Sequence, residues 1–101
     1  MTAYPVGETW IFDIGVAEIE HHFDAPGSVR YRILTGPRKG ETDRVDIKVI
    51  PVSPNIFFVS WQEHDGSTVV HLEDFSRRVF HSCLTQPGQN LRQITGSMRP
   101  A

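Results

Sequence analysis

Ionisable and aromatic side chains alternate along the stretch from Ile56 to Phe75. Trp61 and Glu63 lie two residues apart on its first half, and His71 and Glu73 lie two residues apart on its second half. Side chains two residues apart on a strand share one face of the β-sheet. A carboxylate and an imidazole on a sheltered face can exchange protons with a bound molecule, which is the chemistry of general acid–base catalysis.

The two halves of this stretch are typical of a β-hairpin with the turn sequence HDGS between them. The first arm has one face that is larger and more apolar than the other, formed by Phe57, Val59, Trp61 and Glu63. Because apolar faces turn toward the core, we expect these side chains to point inward. Glu63 should then lie in a cavity or at its inner rim.

A two-residue turn at Asp65-Gly66 is the first of two alternatives for the register of the hairpin. It would place Glu63 opposite Thr68 and would turn Val70 and Leu72 inward. The pattern alone favours this alternative, because both inward side chains are apolar and the imidazole and carboxylate of the second arm stay in water.

A three-residue loop at residues 64–66 is the second alternative, with Gly66 in the left-handed conformation. The glutamate that precedes the loop would then lie opposite Ser67, and Val69, His71 and Glu73 would point inward. A change of one residue in register exchanges the two faces completely, so the candidate chemistry depends on this loop.

Short β-rich runs separated by turn residues recur along the chain, and no long window has the apolar periodicity of a helix. Because the connections are short, sequential strands should be neighbours in an antiparallel meander. Closing the meander into a small barrel removes its open edges, and a two-sheet sandwich is the alternative. The runs cover residues 15–23, 29–35, 44–52, 56–63, 68–74, 78–84 and 91–98, with 8–12 as a candidate eighth strand.

Composition and length restrict the class of protein. The chain has 101 residues, which suits a single domain over residues 1–101, and its net charge of −2 gives no signal for nucleic acid or for a membrane surface. Neither a signal-peptide pattern nor an apolar run long enough to cross a bilayer is found. Cys83 is the single cysteine, so no disulfide can form within the chain. We therefore expect a cytoplasmic protein.

Two segments, YRILTGPRKG and FFVSWQEHDGSTV, resemble the MoaF-like and phenolic acid decarboxylase group of calycin-type barrels. The likeness runs from about Trp10 to about Leu84, and its most specific part is Ser-Trp-x-Glu-x-x-Gly at residues 60–66. The other shared residues are Tyr31, Arg32, Ile33, Gly36, Gly40 and Val69.

The resemblance implies an all-β fold, an antiparallel meander that closes into a lipocalin-like (calycin) β-barrel of seven to eight strands with a central pocket. In the decarboxylases a glutamate that acts in proton transfer occupies the position of Glu63. Their substrate-binding arginine matches Glu41, and their two tyrosines match Trp10 and Phe12. Because a carboxylate in place of the arginine would repel a substrate carboxylate, only the pocket and its glutamate are carried over to this chain.

In the relatives the residues at the positions of Val69, His71 and Glu73 are apolar. This favours the three-residue loop, which turns His71 inward. If residues 75–77 also form a three-residue loop, His81 lies directly across from His71. The candidate catalytic residues are therefore Glu63, His71 and His81. The candidate ligand-binding residues are Trp61, Tyr31, Val59, Phe57, Val69 and Glu73.

Each candidate residue also has a purely structural interpretation. Glu63 can form an ion pair with an arginine, Trp61 and Tyr31 can belong to the core, and the two histidines can be solvated. A metal site formed by the two histidines and Glu63 is geometrically conceivable, but it lacks a motif with known ligand spacing. We therefore predict no metal and no cofactor.

The leading functional hypothesis is a barrel that binds a small hydrophobic or aromatic molecule. The second is a cofactor-independent lyase or isomerase with Glu63 as general acid or base and a histidine partner. The third is a structural or interaction module with a filled core. With the three-residue loop, Phe58, Val70 and Leu72 form an apolar stripe on the outer wall, and we predict a homodimer through this stripe.

Overall fold

Nine antiparallel strands form one sheet in the computed structural model of this chain, which describes residues 3–101. Among those residues no helix is present, and so none could span a membrane. The strands are β1 (Thr9–Asp13), β2 (Glu18–Ala25), β3 (Ser28–Ile33), β4 (Thr42–Asp46), β5 (Lys48–Ser53), β6 (Ile56–Gln62), β7 (Thr68–Asp74), β8 (Val79–Thr85) and β9 (Arg92–Pro100).

The sheet curls into a nearly closed antiparallel barrel. Its strand order is β4-β3-β2-β1-β9-β8-β7-β6-β5, so the first and last strands of the chain pair with each other in the middle of the order. Strands β4 and β5 lie at the two ends of that order and follow each other directly in the chain. The prediction of an all-β antiparallel meander is confirmed, but the sheet has nine strands rather than seven to eight.

The additional strand arises within residues 44–52, which the sequence pattern predicts as one strand. The chain turns a corner at Ile47, so that β4 pairs with β3 and β5 pairs with β6. Ile47 is buried, and its N–H donates a hydrogen bond of 2.9 Å to the carbonyl oxygen of Gly27. This bend brings the two edges of the sheet together.

The gap between β4 and β6 is spanned by side-chain contacts of His64, which lies in the loop after β6. Its Nε2 lies 3.2 Å from the carbonyl oxygen of Arg44 and 3.3 Å from a carboxylate oxygen of Asp43. The hydrogen bond to Arg44, followed by the charge of Asp43, raises the pKa of His64. No strand ladder joins β4 to β5 or β6 within residues 3–101.

One end of the barrel is filled by aromatic side chains. The ring of Tyr4, which precedes β1, packs edge-on against Phe23 at 4.8 Å and against Phe57 at 5.3 Å. Phe75, in the turn between β7 and β8, packs edge-on against Trp10 at 4.9 Å. Burial of such a ring contributes about 1.5–3 kcal/mol, so this cluster anchors the closed end.

Gly96 on β9 is required by the close approach of its neighbours. It lies opposite Phe80 on β8, and a Cβ added to it would come within 2.6 Å of the Phe80 ring and would also clash with the carbonyl oxygen of Asp13. The carbonyl oxygen of Asp13 belongs to the backbone of β1, so it cannot make room for a Cβ unless the neighbouring strand moves.

We therefore expect the substitution Gly96→Ala to lower the free energy of unfolding by about 1–3 kcal/mol or more, as overpacking does in a filled core. Urea denaturation measures the change. Gly27→Ala is the matched control, because the nearest heavy atom to its added Cβ would be 3.7 Å away. Equal stability of the two variants would contradict this account of the packing.

Candidate functional site

The end of the barrel opposite the aromatic cluster opens into a cavity of about 520 Å³. The connections β1–β2, β3–β4, β6–β7 and β8–β9 surround its mouth. Most of the wall is apolar, and polar groups occur both at the mouth and on the deeper wall. A volume of roughly 300–1,000 Å³ is typical of pockets that hold small molecules.

The depth of each inward side chain on β6 and β7 follows from the pairing of these strands. From the mouth toward the closed end, the opposite residues are Trp61 and Val69, then Val59 and His71, then Phe57 and Glu73. The cavity reaches the level of His71, and the side chains below that level fill the closed half of the barrel.

The loop between β6 and β7 has three residues, 64–66, as the family resemblance predicts. The N–H of Glu63 donates to the carbonyl oxygen of Ser67 at 2.8 Å, and Gly66 has a φ of +90°. Glycine populates this left-handed region without a steric penalty. The two-residue turn favoured by the apolar pattern alone is wrong, because Val70 and Leu72 point outward and Val69, His71 and Glu73 point inward.

Glu63 is half-buried at the mouth of the cavity, where two aromatic side chains hold its carboxylate. The indole N–H of Trp61 donates to Oε1 at 3.2 Å, and the hydroxyl of Tyr31 donates to Oε2 at 3.3 Å. Burial raises the pKa of Tyr31, and the negative charges of Glu63 and Asp43 act in the same direction. Tyr31 therefore remains a neutral hydrogen-bond donor.

A chain of three hydrogen-bonded groups lies deeper, at the base of the cavity. His71 Nδ1 lies 2.9 Å from Oε2 of Glu73, and the hydroxyl of Tyr4 donates to Oε1 of the same carboxylate at 2.6 Å. Glu73 has no exposed surface, and His71 is buried except where it meets the cavity. Burial raises the pKa of Tyr4, as do the charge of Glu73 and the hydrogen bond to it. The phenol therefore keeps its proton.

His21 on β2 lies beside this chain on the cavity wall. Its ring is parallel to that of His71 within 6° at a centroid distance of 6.3 Å, and it stacks on Phe12 at 4.2 Å. Burial, followed by the neighbouring His71, lowers the pKa of His21 to about 3. His21 is therefore neutral near pH 7, and it supplies no charge to the site.

The structure brings together five of the residues predicted from the sequence. Glu63, His71, Trp61, Tyr31 and Val69 all line the cavity.

Three of the other predicted residues lie inside the barrel but away from the cavity wall. Phe57 and Val59 are almost fully buried and pack in the core of the closed half, and Glu73 lies behind His71. The expectation that these three side chains line the pocket is therefore corrected. The hairpin register is as predicted, but the aromatic cluster fills this part of the barrel.

His81 lies on the outer surface, which corrects its predicted place opposite His71. The turn between β7 and β8 has four residues, 75–78, rather than three, so His81 pairs with Leu72 and Ser82 pairs with His71. Arg78 adopts a φ of +57° within this turn. His81 Nδ1 instead lies 2.9 Å from the hydroxyl oxygen of Thr95.

The predicted cluster of Glu63, His71 and His81 is therefore not formed. Among residues 3–101, no group of three His, Cys, Asp or Glu side chains is arranged to hold a metal ion.

Sequence reasoning missed His21 and Tyr4. The inward position of His21 follows from its alternation with Ile19 and Phe23, so the pattern contained that signal. Tyr4 lies outside every strand, and no periodic pattern indicates its contact with Glu73. Arg38 lines the mouth of the cavity, where it donates hydrogen bonds of 2.8 and 2.9 Å to Glu41.

A nearly closed antiparallel barrel with one filled end and one open end is the class of protein that this geometry defines. A sequence model of the MoaF-like family matches residues 6–99, so the chain belongs to the MoaF-like family.

One solved structure is similar over the whole length of both chains. It is described as "a putative beta-lactamase from Burkholderia vietnamiensis", shares 27% identity, covers 100% of each chain and superposes with a TM-score of 0.90. A search of curated proteins found no match.

The low pKa of His21 makes a testable contribution to stability. Its value in the folded state, about 3, lies below the ordinary value of 6.5. Between these values the unfolded chain binds a proton that the folded chain does not, so stability decreases as the pH is lowered, by up to about 1.4 kcal/mol per pH unit from this group. In the variant His21→Phe, the free energy of unfolding relative to wild type should therefore rise as the pH falls from about 7 to about 4.

Denaturation curves at several pH values measure this difference. His22→Phe is the control, because His22 is only partly buried and its Nδ1 lies 2.8 Å from the hydroxyl of Thr9. A difference between His21→Phe and wild type that stays constant with pH would show that His21 carries no such penalty.

Proposed function

We propose that this MoaF-like barrel binds one small, largely apolar molecule in its cavity. The observation that carries this proposal is the cavity of about 520 Å³ itself, open at one end and lined mainly by apolar and aromatic side chains. Such a pocket favours a hydrophobic or aromatic body, and the few polar groups orient it. A module with a completely filled core, the third hypothesis from the sequence, would have no such space.

The polar groups of the cavity favour a ligand that donates hydrogen bonds. Glu63 offers carboxylate oxygens at the mouth, and His71 and His21 offer imidazole nitrogens on the deeper wall. The two arginines of the lining, Arg38 and Arg92, are exposed at the mouth, and Arg38 is paired with Glu41, so no arginine lies on the deeper wall among the described residues. A neutral molecule with an N–H or O–H group fits this arrangement better than a carboxylate does.

The similarity to the Burkholderia vietnamiensis protein does not extend to the serine chemistry of a β-lactamase. That chemistry uses a serine followed three residues later by a lysine. Here the lysines Lys39 and Lys48 are preceded at that spacing by Gly36 and Val45. We therefore take from this relative the fold alone.

The barrel geometry also supports our assignment of a calycin, lipocalin-like type, in which a meander surrounds one ligand. The single cysteine, Cys83, supports a reducing compartment such as the cytoplasm. Both assignments are part of this proposal.

Binding is tested with N-phenyl-1-naphthylamine, an uncharged aromatic fluorophore with one N–H group. We expect a saturable rise in fluorescence with one molecule bound per chain. Val69→Phe should weaken binding about tenfold or more, because the added ring occupies the cavity, where one extra contact or clash is worth 1 kcal/mol or more.

Val70→Phe is the matched control, because Val70 is the next residue on the same strand and points outward. Absence of saturable binding to the wild type would contradict the proposal. So would a loss of binding in Val70→Phe but not in Val69→Phe, because the probe would then occupy the outer wall.

We also propose that a second copy of the chain covers the outer wall of β5, β6 and β7. Ile50, Phe58 and Leu72 are neighbours across these strands and are 58%, 39% and 38% exposed. A contiguous apolar row of this kind on adjacent strands is self-complementary, so it suits a two-fold interface. Pro51 on the edge strand β5 cannot donate a ladder hydrogen bond, which favours packing through the face rather than the edge.

Sedimentation equilibrium tests this interface. We expect a dimer for the wild type and a shift toward monomer for Phe58→Lys, because a charge on the row would be buried without a partner. Leu91→Lys is the control, since Leu91 is 57% exposed and lies outside this row. A wild type that stays monomeric at high concentration would rule the interface out.

A further inference from the structure

His71 differs from the other polar groups of the cavity in how its two ring nitrogens are placed. Nδ1 lies 2.9 Å from the buried carboxylate of Glu73, whereas Nε2 has no hydrogen-bond partner among residues 3–101. His71 lines the cavity, and Nε2 is not among the buried polar atoms that lack a partner, so this nitrogen meets the open space of the cavity. A group with one nitrogen held and the other free resembles an oriented base.

The carboxylate of Glu73 determines which nitrogen of His71 carries the proton. A carboxylate accepts hydrogen bonds, so the proton of a neutral His71 lies on Nδ1 and the lone pair lies on Nε2. Tyr4 holds the other oxygen of Glu73 at 2.6 Å, and its phenol keeps its proton because burial raises its pKa. The base, its carboxylate and the group that fixes the carboxylate are therefore all in place before any ligand arrives.

Three titratable side chains surround His71. The titratable groups that pack around it are Glu73 on the same strand, Tyr4 behind the carboxylate and His21 on β2. His21 is neutral, and the carboxylate of Glu73 lies 2.9 Å from His71 Nδ1. In catalytic histidine–carboxylate pairs the carboxylate holds the imidazole in one orientation and one tautomer.

A nucleophilic mechanism has less support in this cavity. Ser82 lies directly across from His71 and lines the cavity, but no hydrogen bond joins these two side chains. The backbone N–H groups of neighbouring strands are occupied by ladder pairing, so they do not form an obvious oxyanion hole. Transfer of a proton needs neither of these elements.

We propose that His71 Nε2 is a general base that removes a proton from a small, largely apolar carbon acid bound in the cavity, with Glu73 and Tyr4 as positioning residues. The proposal rests on the proposed binding function, because the substrate must enter the same cavity. It assigns the acid–base role to His71 itself, whereas the sequence pattern predicts Glu63 as the general acid or base with a histidine as its partner. The carboxylate of Glu63 is already held by Trp61 and Tyr31.

The test uses 5-nitrobenzisoxazole, a planar aromatic probe of proton abstraction. His71 takes the proton from the carbon next to nitrogen, the electrons of that C–H bond form the nitrile, and the N–O bond breaks to leave a phenolate. The imidazolium then returns its proton to water, so atoms and charges balance without any cofactor. The coloured phenolate is followed by its absorbance.

We expect wild type to exceed His71→Ala in kcat by about 100-fold, which is the lower range for a positioned general base. In Glu73→Gln, kcat should fall while KM stays unchanged, because the amide no longer fixes the proton of His71 on Nδ1. A purely structural role of Glu73 would change KM together with kcat, because the cavity itself would be disturbed.

His81→Ala is the matched control, because His81 lies on the outer surface and should leave the rate unchanged. Equal rates for wild type and His71→Ala would overturn the proposal, as would a loss of activity in His81→Ala.

Binding of 5-nitroindole, which has a similar shape but no N–O bond, separates the two proposals. If 5-nitroindole displaces N-phenyl-1-naphthylamine while wild type catalyses the elimination no faster than His71→Ala, ligand binding in the cavity is supported and a general base at His71 is excluded. If wild type binds neither probe, both proposals are excluded.

One measurement on wild type avoids the risk that His71→Ala fails to fold. Long-range ¹H–¹⁵N spectra distinguish the protonated from the unprotonated nitrogen of each histidine. We expect His71 to carry its proton on Nδ1 and its Nε2 signal to move when 5-nitroindole binds. A proton on Nε2, or a signal that does not respond, would overturn the proposal.

Discussion

The left-handed conformation of Gly66 determines which face of β7 lines the barrel. With three residues in the loop, alternate side chains of β7 place an imidazole and a carboxylate inside and two aliphatic side chains outside. A loop one residue shorter would reverse that assignment and fill the cavity with Val70 and Leu72. The site and the apolar outer wall are thus two consequences of the same backbone geometry.

Once that geometry is set, the fold must accommodate a carboxylate with no exposed surface. A buried polar group without a partner costs about 1–3 kcal/mol, and more when it is charged. Glu73 avoids this cost because Tyr4 and His71 satisfy one oxygen each. The segment before β1 is therefore part of the site, although Tyr4 never reaches the cavity. Its ring also packs against Phe23 and Phe57, so the same side chain closes the barrel and fixes the carboxylate.

Local patterns in the sequence predict the strands and the inward face of β6, because alternation is a property of neighbouring residues. They do not predict the bend at Ile47, whose cause is a hydrogen bond to the distant Gly27. The length of a turn that contains no glycine is equally hard to predict from sequence. The β7–β8 turn has four residues rather than three, and this places His81 on the outer surface. The resemblance to relatives corrected the register of the first hairpin, where burial preference alone gave the wrong face. Nothing in the sequence indicates the contact of Tyr4 with Glu73, because it joins residues 69 positions apart.

The corner at Ile47 makes the barrel a split ring rather than a closed one. Ladder hydrogen bonds run continuously from β4 around to β5, and the slit between β4 and β6 is spanned by exposed contacts of His64. In a fully closed barrel, hydrogen bonds between neighbouring strands fix the circumference at every position. In an open barrel they do not fix it at the slit between the edge strands. The width of this barrel at the slit is therefore set by the side chain of His64 and by the bend at Ile47, and not by a strand pairing.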